Sequence, residues 1–278
     1  MKKLEKIGKI NIIPYMQNSL LYPLRRNLLN NKEFLLRYLL LSAILDQQAD
    51  SASAKTTVIQ IYRNYGPKFF LSPSQYVRRF YSAISFASQH YAPKARVMRM
   101  KTEGFLILRI GGFLLSLINI RDQYGSLLHY FNKAPSPKDL LDQILNDVLL
   151  KGLLYEKAAR MYTGWISHPN LWINISSGKW RVHELPMAVD GHVCKVLARS
   201  GFLPDVLVEN TKTMIVKAEN ERDRIENEVS NVYPTADRFM IDFGTFYTGI
   251  TYCKEQKPAC AKCPIKGVCN KNTKFKAY

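Results

Sequence analysis

At 278 residues the chain is long enough to bury a core without disulfides, as one large domain or two lobes. Forty Lys and Arg against 22 Asp and Glu give a formal net charge of +18. That balance favours a polyanionic partner, and the spread of the basic residues over the whole chain favours nucleic acid over an anionic membrane.

The start, "MKKLEKIGKINIIPYMQN", is basic but lacks the apolar stretch and cleavage site of a secretory leader. The most apolar stretches, 34–45 and 105–120, are interrupted by arginine and shorter than a bilayer requires. The expectation is therefore an intracellular protein, cytoplasmic and nucleoid-associated or nuclear, with no membrane partner and acting as a monomer. In such a reducing compartment clustered cysteines point to a metal centre before disulfides.

Good helix formers with apolar residues at three and four predict helix over 33–64, broken near "DSAS", where Asp50 or Ser51 caps the second part. "YGPKFFLSPSQY" reads as a turn followed by a new helix start at Ser72-Pro73 or Ser74. Residues 95–121 fit either a buried helix broken at Gly111-Gly112 or a pair of strands, with helix favoured by the helical segments that follow. Ser136 and Pro137 open a helix in "APSPKDLLDQILNDVLL". "GLLYEKAARMYTGWI" and "DGHVCKVLARSGF" read as two more, the second ending at Gly201. "AENERDRIENEV" reads as a charged, exposed helix. The fold class expected is mostly α.

Cys253, Cys260, Cys263 and Cys269 follow the spacing C-x6-C-x2-C-x5-C. A four-cysteine zinc site is one reading, but structural zinc usually takes two short knuckles, and here there is one. A compact loop of four thiolates suits a 4Fe–4S cluster, in which each cysteine binds a separate iron. Lysines 254, 257, 262 and 266 lie between the ligands, either offsetting the negative charge of the centre or presenting cations to phosphate.

This loop resembles the C-terminal iron–sulfur loop of endonuclease III and the adenine glycosylases, within the helix-hairpin-helix (HhH-GPD) DNA glycosylase superfamily. Three further segments are similar, in the family's order. "LLLSAILDQQADSASA" (39–54) is similar to a helix and turn whose glutamine probes opened DNA, which places Gln47 or Gln48 in that role. "KGLLYEKAARM" (151–161) is similar to the helix that follows in the family, and "MAVDGHVCKVLARSGF" (187–202) to the segment carrying the catalytic aspartate. Asp190 takes that place, with His192 and Lys195 in register beside DNA.

The resemblance implies two helical lobes with a DNA-binding cleft between them: residues 31–185 as a central helical barrel, and 1–30 plus 186–278 as a second lobe holding the cluster loop (253–269). It implies a base-excision enzyme acting on double-stranded DNA with a damaged or mismatched base. Asp190 stabilises the oxocarbenium-like state and activates the nucleophile, and Lys262 and Lys266 contact the DNA backbone. Read alone, Asp190 in "VDG" is equally a helix cap, and the two roles are compatible.

One family element is missing or strongly altered. The glycine-rich hairpin expected before the aspartate is replaced by "LWINISSGKWRVHELPM", whose lysine, Lys179, reads either as a surface-turn residue or as a nucleophile. A monofunctional, water-using glycosylase is thereby favoured over a lyase, and a non-catalytic iron–sulfur DNA-binding protein on the same scaffold is the alternative. Tyr155, Tyr162, Trp165, Trp172 and Trp180 are either core or base-stacking residues.

Overall fold

A computed structural model describes residues 1–47, 51–91, 102–206, 208, 211–255 and 257–271. The chain is mostly helical, and no strand occurs among the described residues. It divides into two compact units, Met1–Tyr15 with Arg181–Tyr278, and Met16–Trp180. The sequence reading drew these divisions after residues 30 and 185. Gln48, Asp50 and Gln256 lie outside the described residues.

The continuous unit is organised around α3 (Lys32–Asp46), which follows α1 (Lys2–Met16) and the short α2 (Arg26–Leu29). Every residue from Phe34 to Leu45 is buried. A helix apolar on all sides has no solvent face and must be surrounded. Polar side chains fix its position. Asn31 caps it by accepting from the Phe34 N–H at 3.0 Å. Glu33 accepts from the Leu127 and Leu128 N–H groups at 2.9 and 2.8 Å, at the start of α10 (Leu127–Phe131). There the carboxylate meets the positive end of a helix. Arg37 donates to the Phe70 carbonyl at 2.8 Å and pairs with Glu33. The Tyr162 hydroxyl, on α12 (Glu156–Ser167), donates to the Leu36 carbonyl at 2.9 Å.

Around this core run α4 (Ser51–Tyr65), the single turns α5 (Lys68–Leu71) and α6 (Ser74–Val77), and α7 (Phe80–Ser88). The glycine pair at 111–112 does not break the next helix. From α8 (Thr102–Leu106) the chain passes through a π-helical turn, Ile107–Gly111, directly into α9 (Gly112–Tyr124). A Cβ at Gly112 would lie 2.8 Å from Leu153 Cδ2, so the glycine serves close packing. The continuity corrects the expectation that this segment is too short to cross a bilayer. By length and composition Gly104–Tyr124 is sufficient, with a mean hydropathy of 1.6. Its Ile110, Phe113, Leu114, Leu117 and Ile120 are buried. Arg109 is buried too and donates to the Gly152 and Leu153 carbonyls at 3.1 and 2.9 Å. The helix α11 (Pro137–Asn146) starts at Ser136, whose hydroxyl accepts from the Asp139 N–H.

The discontinuous unit joins α1 to α13 (Gly191–Ser200), α14 (Thr211–Val232) and α15 (Arg238–Thr251). Its two ends meet backbone to backbone. A Cβ at Gly8 would lie 2.0 Å from the Met240 carbonyl oxygen, and one at Gly244 would lie 1.9 Å from that of Leu4. On α14 the charged sequence hides a stripe: Met214, Ala218, Arg222, Ile225 and Val229 are buried at spacings of three and four. The helix is therefore half-buried rather than fully exposed.

Because backbone cannot yield to a new methyl, Gly244→Ala should destabilise the discontinuous unit by at least the 1–3 kcal/mol or so typical of overpacking. Denaturant titration of the variant against wild type measures this. An unchanged midpoint would contradict the close approach of α1 and α15.

Candidate functional site

α13 carries the candidate chemistry at both ends. Its N-terminus is capped by Asp190, which sits in extended backbone and whose Oδ1 accepts from the His192 and Val193 N–H groups at 2.8 and 2.9 Å. These bonds satisfy two of the free donors of the first turn and fix the carboxylate's orientation. Among the described residues no hydrogen bond falls on Oδ2, and the side chain is half-buried. The chain enters the helix through the buried residues Leu185–Val189, and Gly191 permits contact with α14, where its Cβ would lie 3.1 Å from Ile215.

The C-terminus of α13 is held by the cysteine loop. α15 delivers Cys253 directly, the Cys253 N–H bonding the Thr248 carbonyl at 2.9 Å. A 3₁₀ turn, Cys260–Lys262, and tight turns at 263–268 wrap the rest, and Cys263 and Ile265 are buried in the unit's core. Cys269 Sγ lies 3.6 Å from the Arg199 carbonyl oxygen, and the Asn270 N–H donates to the Ser200 carbonyl at 3.2 Å. That carbonyl of the last turn, which has no partner within the helix, is thereby satisfied. Gly201, at φ 85°, ends the helix in the left-handed region, and a Cβ there would collide with Asn270 Nδ2 at 2.2 Å.

All four cysteines line one small cavity, with Val196 and Arg199 of α13 on its wall. Among the described residues no three His, Cys, Asp or Glu side chains converge as a single metal ion needs. A lone zinc would require its sulfurs at about 2.3 Å from one point. The four cysteines share the wall of that cavity without being gathered about one point. Cys194 does not join them. It is buried within α13, and burial pushes its thiol up to about 12.

Two buried cations stand beside the cavity. Arg199, only 2% exposed, donates to Cys253 Sγ at 3.4 Å and to the Lys254 and Glu255 carbonyls at 2.9 and 3.2 Å. Lys195 is 6% exposed. Burial holds its ammonium below the usual lysine range, while the charge of Cys253 works in the opposite direction. Buried cations are costly without an anion, and deprotonated, metal-bound cysteines would supply one.

Lys195 is therefore not placed for the phosphate contact expected of it. Its Nζ lies 3.4 Å from His192 Nδ1, inside the unit. His192 is half-buried, its ring edge-on to Phe246 at 5.9 Å and its Cβ against Gly249. Lys262 and Lys266 are exposed on the cysteine loop, Lys266 Nζ reaching the Ala261 carbonyl at 3.1 Å.

Gln47 also differs from its expected role. It is buried, donates to the Ile44 and Leu153 carbonyls at 3.1 and 2.8 Å, and accepts from the Tyr155 N–H at 2.6 Å. Its amide ties the end of α3 to the loop before α12, with nothing left to probe a DNA helix. Lys179 is exposed in the other unit, in a turn where Asn174 Oδ1 accepts from the Gly178 N–H at 3.1 Å and Ser177 and Gly178 take positive φ. Of the five aromatics, Tyr162 is core, Tyr155 is exposed, and Trp180 Nε1 donates to the Pro135 carbonyl at 2.9 Å. Arg199 is the residue that the sequence reading missed. Its signal is a single arginine in the last turn of an apolar helix, which reads by default as a helix-dipole partner.

Compared with family models and with curated proteins, the chain matches none.

Arg199→Met keeps the bulk but removes the donors, and breaking a buried charged network typically costs about 3–5 kcal/mol. A lower midpoint in denaturant titration is expected. Gln47→Ala should cost about 1–3 kcal/mol from unsatisfied buried groups and leave the DNA affinity of the folded protein unchanged, measured by fluorescence anisotropy.

Proposed function

We propose that this chain is a DNA base-excision glycosylase of the helix-hairpin-helix type, monofunctional rather than a lyase. The observation that carries the reading is α13, with a capping carboxylate at one end and a four-cysteine cavity at the other. It joins two of the four segments on which the resemblance rests. Cys253, Cys260, Cys263 and Cys269 would hold a 4Fe–4S cluster. Its contribution is structural: it fastens the loop that seats the end of α13 and adds negative charge beside Arg199 and Lys195.

The substrate base is inaccessible in stacked DNA and must be turned out of the duplex. Asp190, oriented by two backbone donors, faces the sugar with Oδ2. As the N-glycosidic bond breaks, the base leaves with the electron pair and positive charge builds on the sugar. A fixed carboxylate stabilises that charge. Water then adds to C1′ and gives a proton to Asp190, and that proton passes by way of solvent to the departed base, which restores the carboxylate. Lys179 lies in an open turn without the apolar pocket that activates a lysine nucleophile, which supports water as the attacking group. Exposed Lys262 and Lys266 remain as phosphate contacts. The reading implies an intracellular protein acting on duplex DNA.

A second reading, a non-catalytic iron–sulfur DNA-binding protein, is favoured by one observation. Between Ser167 and Gly191 the only helical element among the described residues is the 3₁₀ turn Val182–Glu184, so no pair of helices flanks a phosphate-gripping hairpin there.

Duplexes carrying uracil, a thymine mismatch, hypoxanthine, an oxidised pyrimidine or 8-oxoguanine separate the two. Release of one base by wild type is expected, with Asp190→Asn slowing it by about 10²-fold or more. Asparagine caps a helix as well as aspartate does, so stability and DNA affinity should be retained. No release from any duplex would leave the non-catalytic reading.

A further inference from the structure

The continuous unit contains a second basic site that the reading above does not use. A cavity of about 420 Å³ opens between the segment at 23–28 and the end of α4. Arg25, Asn27, Tyr62, Arg63 and Gly66 are among its lining residues, and no carboxylate lines it. That volume is within the range of small-molecule sites, about 300–1,000 Å³. Arg25 and Arg63 are exposed, and among the described residues neither forms an ion pair. Two guanidiniums held at one cavity without a counter-charge repel each other unless an anion joins them.

Aromatic rings accompany the charges. Tyr62 is half-buried in the lining, its ring edge-on to Phe34 and Tyr38. Tyr22 is 55% exposed, with the Arg63 guanidinium 5.6 Å from its ring centroid. Gly66, at φ 68°, turns the chain sharply out of α4, and a Cβ there would meet nothing within 4 Å. Its role is conformational, and it leaves the mouth of the cavity unobstructed. Arginines that grip phosphate beside tyrosines that accept a base face are the elements of single-strand recognition.

We propose that this groove binds a nucleotide unit, with Arg25 and Arg63 on the phosphate and a tyrosine face under the base, either as a free nucleotide or as part of a single strand. The proposal does not depend on base excision. It stands or falls with residues of the continuous unit alone.

The test is anisotropy of a fluorescein-labelled hexathymidylate with the full chain, across a salt series. The double variant Arg25→Gln/Arg63→Gln is compared with Lys138→Gln/Lys151→Gln, which removes the same charge from exposed positions elsewhere. Circular dichroism establishes that both are folded, as exposed positions lead one to expect. The arginine variant should bind about tenfold or more weakly, with a salt slope smaller by about two. The lysine variant should change by less than about twofold. Equal losses in the two variants would reduce the groove to a share of the general positive field and overturn the proposal. Competition with thymidine 5′-monophosphate identifies a free nucleotide as a sufficient ligand, and competition by oligothymidylate alone identifies a strand. Inorganic phosphate competing as well as the mononucleotide would overturn the base-stacking part.

Discussion

The discontinuous unit depends on how the two ends of α13 are satisfied. A ten-residue helix leaves free N–H groups at one end and free carbonyls at the other, and both ends here lie close to a buried core. Asp190 accepts at the first end. At the second, the Asn270 N–H donates to the Ser200 carbonyl. A helix of this length spans about 15 Å and is stiff over that distance. A shift of the cysteine loop is therefore carried to the carboxylate, since α14 and α15 pack along α13 and leave it little room to bend. The loop does not have to touch a substrate to matter for the chemistry.

The same geometry sets the electrostatics. Arg199 and Lys195 bring two cations into the interior beside sulfur, where the charge of an isolated ion is heavily penalised. Protonated thiols offer them only weak acceptors. Thiolates holding the proposed cluster would add negative charge beside both cations, on a helix buried along most of its length. The lysines at 254, 257, 262 and 266 differ in kind. They are exposed, pay no such penalty, and remain available to a phosphate. Around the cysteine loop, burial separates the cations of α13 from the exposed lysines of the loop itself.

Much of this was legible in the sequence where the signal is local. The cysteine spacing, the Asp190 cap, the Gly201 terminus and the Ser136-Pro137 helix start each need only a few neighbouring residues, and each appears where the pattern places it. Less legible are residues whose surroundings are decided at long range. Gln47 looks exposed at a helix end, but the Leu153 carbonyl and the Tyr155 N–H, more than a hundred residues away, take up its amide. Lys195 looks like a surface lysine but is 6% exposed, its Nζ 3.4 Å from His192 Nδ1. The π-helical turn at 107–111 keeps 102–124 continuous where two glycines suggested a break. The division after Tyr15 rests on backbone contacts of Gly8 and Gly244, which no local pattern records.

The replaced hairpin then has a physical consequence for the proposed function. A glycine hairpin gives a phosphate several backbone N–H donors at one point. In the "ISSGK" turn the Gly178 N–H is taken by Asn174 and the Lys179 N–H by the Ser176 carbonyl, so little of that donor set is free. Affinity for a polyanion must come from side-chain cations instead, and 40 lysines and arginines against 22 acidic residues provide them. Binding built on side-chain charge releases counterions and is steeply salt-dependent, but it fixes the register of the nucleic acid less strictly than a backbone grip. Precise placement of a sugar over Asp190 would then fall more heavily on the pocket that receives the base than on the phosphate contacts.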